Sequence, residues 1–178
     1  MKTVSRALTA AAAGVALFGL SACSGGGAGD TTTGEPTTEP QAKAIESFDP
    51  CTFFESDELT SFGVSTQSQD FSPVSFEPGC KWDGEKLDIS LQKNAEETVD
   101  SYESSGSWDS YHKTTIAGRQ GAVALETGAT DVGSCTVLVD AGGGVAIYML
   151  DGMMRDSVAD PCGELEKIAN QTASRLPK

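Results

Sequence analysis

The cysteines constrain the fold of this chain more than any other feature of its sequence. One of the five, Cys23, stands shortly after an apolar run at positions 7–20, which follows Lys2 and Arg6. Because a membrane-spanning helix needs about 20 apolar residues, this shorter run matches an export signal instead. In an exported chain, an even number of remaining cysteines predicts two disulfides. The remaining four are Cys51, Cys80, Cys135 and Cys162.

The end of the apolar run carries a more specific signal. The segment Leu20-Ser21-Ala22-Cys23 resembles the lipobox of bacterial lipoproteins, in which the cysteine thiol receives diacylglycerol before cleavage. The resemblance implies that residues 1–22 are a signal peptide and that Cys23 becomes the lipid-bearing N-terminus. It also implies that the protein is attached by lipid to the extracytoplasmic face of the cell membrane. A lipid with two or three acyl chains makes such attachment stable. An ordinary signal peptide with a nearby cysteine is the alternative.

Residues 23–44 are predicted to form a flexible tether. From position 25 onward this stretch is rich in Gly, Thr and Pro and holds no aromatic or large aliphatic residue, so it cannot bury enough surface to fold. Its threonines could carry O-linked sugar, and a bare spacer is the alternative. The remaining residues, 45–178, have the size of one domain.

The net charge excludes two classes of partner. The chain has 26 acidic and 12 basic residues, a formal charge of −14. Loss of Lys2 and Arg6 with the signal peptide, which has no acidic residue, takes this to −16. Such a charge argues against binding nucleic acid and against lying flat on anionic lipid. The membrane is therefore predicted as a partner only through the lipid on Cys23.

Hydrophobic patterning predicts an α+β fold. Helices are expected after Asp49-Pro50-Cys51 and after Asp160-Pro161-Cys162, because Asp caps free N–H groups and Pro suits the first turn. Alternating apolar residues predict hairpins over 80–91 and 135–149, and short strands lie between them. We therefore expect an antiparallel sheet of about five or six strands, with N- and C-terminal helices packed on it.

The placement of the cysteines predicts one pairing among the three that can be drawn. Cys51 and Cys162 open the two helices that bracket the domain, while Cys80 and Cys135 face the core from strands. We predict the disulfides Cys51–Cys162 and Cys80–Cys135. Metal binding is the alternative, but no pair has C-x-x-C spacing and His112 is the only histidine. No metal or other cofactor is predicted.

Two segments are candidates for binding. Residues 102–112 are expected to form a loop in which Tyr102, Trp108 and Tyr111 stand among small polar residues, a composition suited to sugars or peptides. Aromatic side chains docked on the core are the alternative. Met149, Met153 and Met154 cluster at the end of a strand, where they could form an adaptable apolar patch or fill the core.

No catalytic constellation is present in the sequence. A hydrolase needs a nucleophile, a base and an orienting group, but the chain has no G-x-S-x-G motif, and His112 lies in a polar region typical of a surface histidine. The carboxylate pairs 57–58 and 96–97 are expected on solvated faces. No catalytic residue is predicted.

The order of these features resembles one known family. The lipobox, the Cys80-Lys81-Trp82 strand, the Cys135 strand and the paired Asp-Pro-Cys segments are similar to those of actinobacterial envelope lipoproteins catalogued as a domain of unknown function. The resemblance covers roughly 48–177 and implies an extracytoplasmic lipoprotein with four framework cysteines. The predicted outline is also similar to the PsbP-like fold of other actinobacterial lipoproteins.

The expected function is non-catalytic binding of a ligand or protein in the cell envelope. An accessory or regulatory subunit of an envelope complex is the alternative, and a hydrolase that uses carboxylates is a third hypothesis.

Overall fold

The computed structural model describes residues 43–105 and 107–178. The predicted signal peptide, Cys23 and the tether through residue 42 lie outside the described residues. The first element of the described residues is a short 3₁₀ helix at Ala44–Ser47, at the predicted end of the tether, and its Ile45 is fully buried. Among the residues described, no helix has the length and apolar character needed to cross a bilayer.

Seven antiparallel strands form one sheet, in the order β1-β2-β3-β7-β6-β5-β4. The predicted α+β class is confirmed, whereas the predicted number of strands was too low. The strands are β1 (Gln69–Phe71), β2 (Gly79–Trp82), β3 (Leu87–Asn94), β4 (Trp108–Ile116), β5 (Arg119–Glu126), β6 (Ser134–Asp140) and β7 (Val145–Gly152). The helices are α1 (Ser56–Phe62), α2 (Val99–Ser105), α3 (Ala129–Val132) and α4 (Pro161–Thr172).

Both faces of the sheet are covered, which explains why β6 and β7 in its middle are largely apolar on both sides. On the first face, α4 packs on β6 and β7, and a 3₁₀ helix at Pro50–Thr52 packs on β2 and β3. Trp82 and Tyr148 are among the largest side chains of this core. On the second face, α2 brings Val99 and Tyr102 over Leu138 and other apolar residues.

The predicted start of the C-terminal helix is confirmed, whereas the predicted start of the N-terminal helix was wrong. The Asp160 carboxylate accepts a hydrogen bond from the Gly163 N–H at 2.9 Å and caps α4. Asp49 accepts in the same way from the Cys51 N–H at 2.9 Å, but that segment makes only a 3₁₀ turn. The first α-helix begins later, at Ser56, where a capping box supplies the missing hydrogen-bond acceptors.

The disulfide pairing predicted from the sequence was wrong. The bonds are Cys51–Cys80 and Cys135–Cys162, with Cα–Cα distances of 5.0 and 5.2 Å. Cys80 and Cys135 do face the same core, but β3 and β7 lie between their strands. Three strand spacings amount to about 14 Å, twice the largest Cα separation that a disulfide spans. Cys80 and Cys135 each bond instead to the cysteine at the helix start that packs on its own strand.

Candidate functional site

The three aromatic residues predicted to bind a ligand lie together on the second face, but not in a loop. Tyr102 belongs to α2, and Trp108 and Tyr111 belong to β4. The loop predicted over 102–112 was therefore wrong. β4 forms because it pairs with β5, and a register irregularity between Trp108 and Ser110 breaks the alternation by which a strand is recognised in a sequence.

These aromatic side chains fasten α2 to the sheet. The Trp108 indole N–H donates to the Tyr102 carbonyl at 2.7 Å, and the Tyr111 hydroxyl donates to the Val99 carbonyl at 2.5 Å. Burial and the nearby Glu103 charge raise the pKa of Tyr111 to about 12. The polar groups of Trp108 and Tyr111 thus form hydrogen bonds within the chain. This agrees with the alternative stated above, in which the aromatic side chains dock on the core. A binding role for them stays a prediction.

A hydrogen-bond network extends from Tyr102 to β3. The Tyr102 hydroxyl donates to the Glu77 carboxylate at 2.5 Å and accepts from the Asn94 amide at 2.9 Å. Burial and the hydrogen bond to Glu77 raise the pKa of Tyr102. The network ties the segment before β2 to α2 across the second face.

The remaining candidates from the sequence lie apart from one another. His112 is exposed on β4 and makes no side-chain hydrogen bond to any residue that the structure describes. Glu58 is held by Arg175, with two oxygen–nitrogen contacts of 2.8 and 2.7 Å. Asp70, which was not a candidate from the sequence, lies beside the Cys51 and Cys80 sulfur atoms, but sulfurs joined in a disulfide are not thiolate ligands for a metal.

An apolar patch marks the end of the sheet where β6 begins and β7 ends, which we call the distal pole. Met153 and Met154 are 55% and 73% exposed, and Val132 on α3 is 55% exposed. The alternative in which these two methionines fill the core is wrong. Exposed apolar side chains that cluster in this way mark interaction sites more often than isolated ones do.

A cavity of about 580 Å³ opens beside this patch on the first face. Leu125, Val158, Pro161 and the Cys162 side of a disulfide form its apolar wall, and Arg155 lies at its polar side. Its volume is in the range of small-molecule sites. Because the Cys135–Cys162 bond fixes the start of α4 against β6, this wall is covalently held in place.

A second cavity, of about 260 Å³, opens on the second face at the same pole. It is bounded by the ends of β5, β6 and β7. We call it the carboxylate cavity, because it contains Glu126 and Asp151. Its other polar residues include Ser134 and Thr136, and Met149 lines its inner side.

The two carboxylates of this cavity are held by hydroxyl groups. Ser134 donates to Asp151 at 2.6 Å, and Thr136 donates to Glu126 at 3.5 Å. Neither carboxylate forms a salt bridge within the described part of the chain. Burial and the negative charge of Asp151 raise the pKa of Glu126. The cavity therefore concentrates uncompensated negative charge.

The distal pole lies opposite the point where the chain enters the domain. The Ile45 N–H donates to the Gly142 carbonyl at 3.3 Å, so the N-terminal segment rests on the turn between β6 and β7. These strands then run away from that turn to the distal pole. Eight residues of β7 span about 26 Å at the usual rise per residue. Ile45 and the two cavities are thus at opposite ends of the hairpin.

A comparison with known protein families shows which family this chain belongs to. A family described as "Protein of unknown function (DUF3558)" matches residues 18–175, which is most of the chain. The chain belongs to the DUF3558 family. The match agrees with the resemblance to a domain of unknown function. Neither the curated proteins nor the solved structures compared with this chain gave a match.

Sequence reasoning missed the carboxylate cavity of this DUF3558 member. Glu126 and Asp151 stand 25 positions apart and belong to no recognisable motif. They meet because Ser134 and Asp151 are paired in the β6–β7 register, while Glu126 ends the strand that neighbours β6. The methionine cluster at 149–154 was the one local signal that pointed to this end of the molecule.

Proposed function

We propose that this protein is an exported lipoprotein, anchored through Cys23, whose domain binds a ligand at the distal pole without catalysing a reaction. The observation that carries the proposal is the exposure of Val132, Met153 and Met154 at the pole where two cavities open. Apolar side chains are costly to expose, and methionine adapts to irregular ligand surfaces. The ligand class that matches this pole is a cation with an apolar part, since carboxylates and apolar walls line its cavities.

The position of the patch supports an anchored binding module. Ile45 lies at the β6–β7 turn, and the distal pole lies about 26 Å from that turn. A flexible tether of some 20 residues adds a comparable distance. Attachment through Cys23 would then leave the pole accessible to a ligand.

The anchor is tested by labelling cells that produce the protein with an alkyne fatty acid. We expect label on the wild type and none on Cys23→Ala, with the variant partitioning into the aqueous phase of a detergent extraction. A labelled Cys23→Ala protein would contradict anchoring at this residue. The predicted actinobacterial origin and PsbP-like outline stay predictions.

Binding at the pole is tested with a photo-crosslinking residue in place of Met154, compared with the same residue in place of exposed Thr60 on α1. On intact cells, we expect a defined adduct only from position 154. It should be competed by an excess of the unmodified protein. Equal labelling from both positions, or none from 154, would count against the distal pole as a binding site.

A carboxylate-based hydrolase is the second candidate, and the convergence of Glu126 and Asp151 in one cavity favours it. A raised carboxyl pKa beside a second carboxylate is the arrangement of an acid–base pair. Turnover of a panel of aryl glycosides that vanishes in Glu126→Gln would support this candidate and contradict the non-catalytic proposal.

An accessory subunit of an envelope complex would use the exposed patch rather than a cavity. Replacing Met153 and Met154 by serine should then abolish co-purification with a specific envelope protein from detergent extracts. Retention of that protein by the variant would reject this alternative.

A further inference from the structure

A row of buried polar side chains runs along β3 on the second face. Ser90, Gln92 and Asn94 occupy alternate positions, and each is 1% exposed. Asn94 is well satisfied by its partners, which include Tyr102. In contrast, the Ser90 hydroxyl and the Gln92 amide oxygen have no hydrogen-bond partner among the described residues. A buried polar atom without a partner destabilises the fold, so such atoms in a native structure call for a role.

Met149 connects these two oxygens with the carboxylate cavity. It lies opposite Ser90 in the β3–β7 pairing, and the Gln92 side-chain N–H donates to its sulfur at 3.1 Å. Met149 also lines the cavity. A thioether is a weak acceptor on a flexible side chain, so Met149 can rotate aside at small cost. Its rotation would extend the cavity toward the unpartnered oxygens.

The charges around the cavity determine what it can bind. Glu126 and Asp151 have no ion-pair partner in the described structure. Lys81, which lies opposite Ser90 in the β2–β3 pairing, is already paired with Asp83 and Asp88. The charged side chains that line the cavity are the two carboxylates, and the Gln92 amide oxygen, which lies beyond Met149, also accepts hydrogen bonds. An anion would be repelled. A hydrogen-bond donor that carries positive charge is complementary to all of them.

We propose that the carboxylate cavity binds a primary ammonium group on a short methylene chain. Building on the proposed binding function, this inference names the ligand class of the distal pole. The ammonium would lie between Glu126 and Asp151, and the methylene groups would lie along the apolar side formed by Ala129 and Val132. A volume of about 260 Å³ admits a chain of this kind but not a drug-sized molecule. A free alkylamine and the lysine side chain of a partner share this chemistry.

The test uses the full mature chain in detergent with ¹³C-methyl-labelled methionine. Once the signal peptide is removed, its methionines are Met149, Met153 and Met154, so three signals report on the pole. Titration with 1,4-diaminobutane should shift the Met149 signal in a saturable way. Butane-1,4-diol, of the same length but uncharged, should not. Comparing the affinity of 1,4-diaminobutane with that of a lysine-containing peptide distinguishes a free amine from the lysine side chain of a partner, according to which binds more tightly.

Matched variants separate the cavity from the overall charge. Glu126→Gln and Asp151→Asn should each weaken binding of 1,4-diaminobutane by about tenfold or more, because each removes one charge-assisted hydrogen bond. Asp131→Asn removes the same charge from exposed α3, outside the cavity, and should leave affinity unchanged. Thermal melting of each variant confirms that it is folded.

Three results would overturn the inference: equal shifts with the diamine and the diol, equal weakening by Asp131→Asn, or saturation by Ca²⁺ with no response to amines. These failures are distinguishable from failure of the proposed function. If Met149 does not respond to amines but position 154 still crosslinks specifically, the pole binds a ligand of another class. If amines bind but position 154 captures nothing, the ammonium site in the carboxylate cavity is supported and the exposed patch is rejected as a binding surface.

Discussion

The disulfide between Cys135 and Cys162 offers the sharpest quantitative prediction. The two residues are 27 positions apart, and the bond ties β6 to the first turn of α4. Replacing both by alanine releases a loop of this length in the unfolded chain. The loop-entropy relation gives a loss of about 3.6 kcal/mol in the free energy of unfolding. The other bond, Cys51–Cys80, spans 29 positions and gives about the same value.

Equilibrium unfolding in urea, followed by tryptophan fluorescence, measures both losses. We expect the Cys135→Ala/Cys162→Ala and Cys51→Ala/Cys80→Ala variants to be destabilised about equally, since loop entropy depends only on the logarithm of loop length. The two bonds share no partner, so the quadruple variant should lose about 7 kcal/mol, close to the sum. A loss below about 1 kcal/mol in either double variant would refute the loop-entropy reasoning.

Peptide mapping without reduction checks the pairing itself. Trypsin places Cys51 and Cys80 in one peptide, 44–81, while Cys135 and Cys162 fall in peptides 120–155 and 156–167. The structure predicts an internally bridged 44–81 and a linked pair of the other two. A cluster of all three peptides would mean that the bonds cross between the halves of the chain, against the structure.

Three further substitutions test the packing and electrostatics. Glu126→Gln should raise the melting temperature at pH 7 but not at pH 3.5. Burial and the charge of Asp151 raise the pKa of Glu126 in the folded protein above its value near 4.5 in the unfolded chain. The folded protein therefore loses stability as pH rises from 4.5 through the folded-state pKa, and glutamine, which does not ionise, removes this loss. Arg175→Met should cost about 1 kcal/mol at pH 7, because it removes a partly exposed ion pair with Glu58. Burial acts to raise the pKa of Glu58, but it is outweighed by the hydrogen bond and charge of Arg175 and by a backbone hydrogen bond, so the pKa is lowered. The stability lost in Arg175→Met should therefore shrink as pH falls below about 4.5 and Glu58 becomes protonated. Gly79→Ala should cost about 3 kcal/mol in a urea titration, since its Cβ would clash with the backbone of β3; a cost below about 1 kcal/mol would contradict that crowding.

Local sequence rules predicted the elements that depend on local interactions. The Asp160 cap and the proline after it fix the start of α4, and alternation in 135–139 fixes β6. β1 could not be found in this way, because Gln69–Phe71 is largely exposed and has no apolar alternation. It is a strand only because β2 offers it a free edge. The first part of β4 was hidden by its irregular register with β5, whereas its end at 114–116 was predicted as a short strand.

The cysteines show the division between sequence and structure most clearly. Setting Cys23 aside leaves an even number, so the sequence by itself determined that two disulfides were to be expected. It could not determine the pairing, because that depends on how many strands separate β2 from β6. The order of the strands, which long-range pairing decides, places β3 and β7 between them. The same pairing brings Glu126 and Asp151 into one cavity, since distant strand ends meet only when the whole sheet is formed.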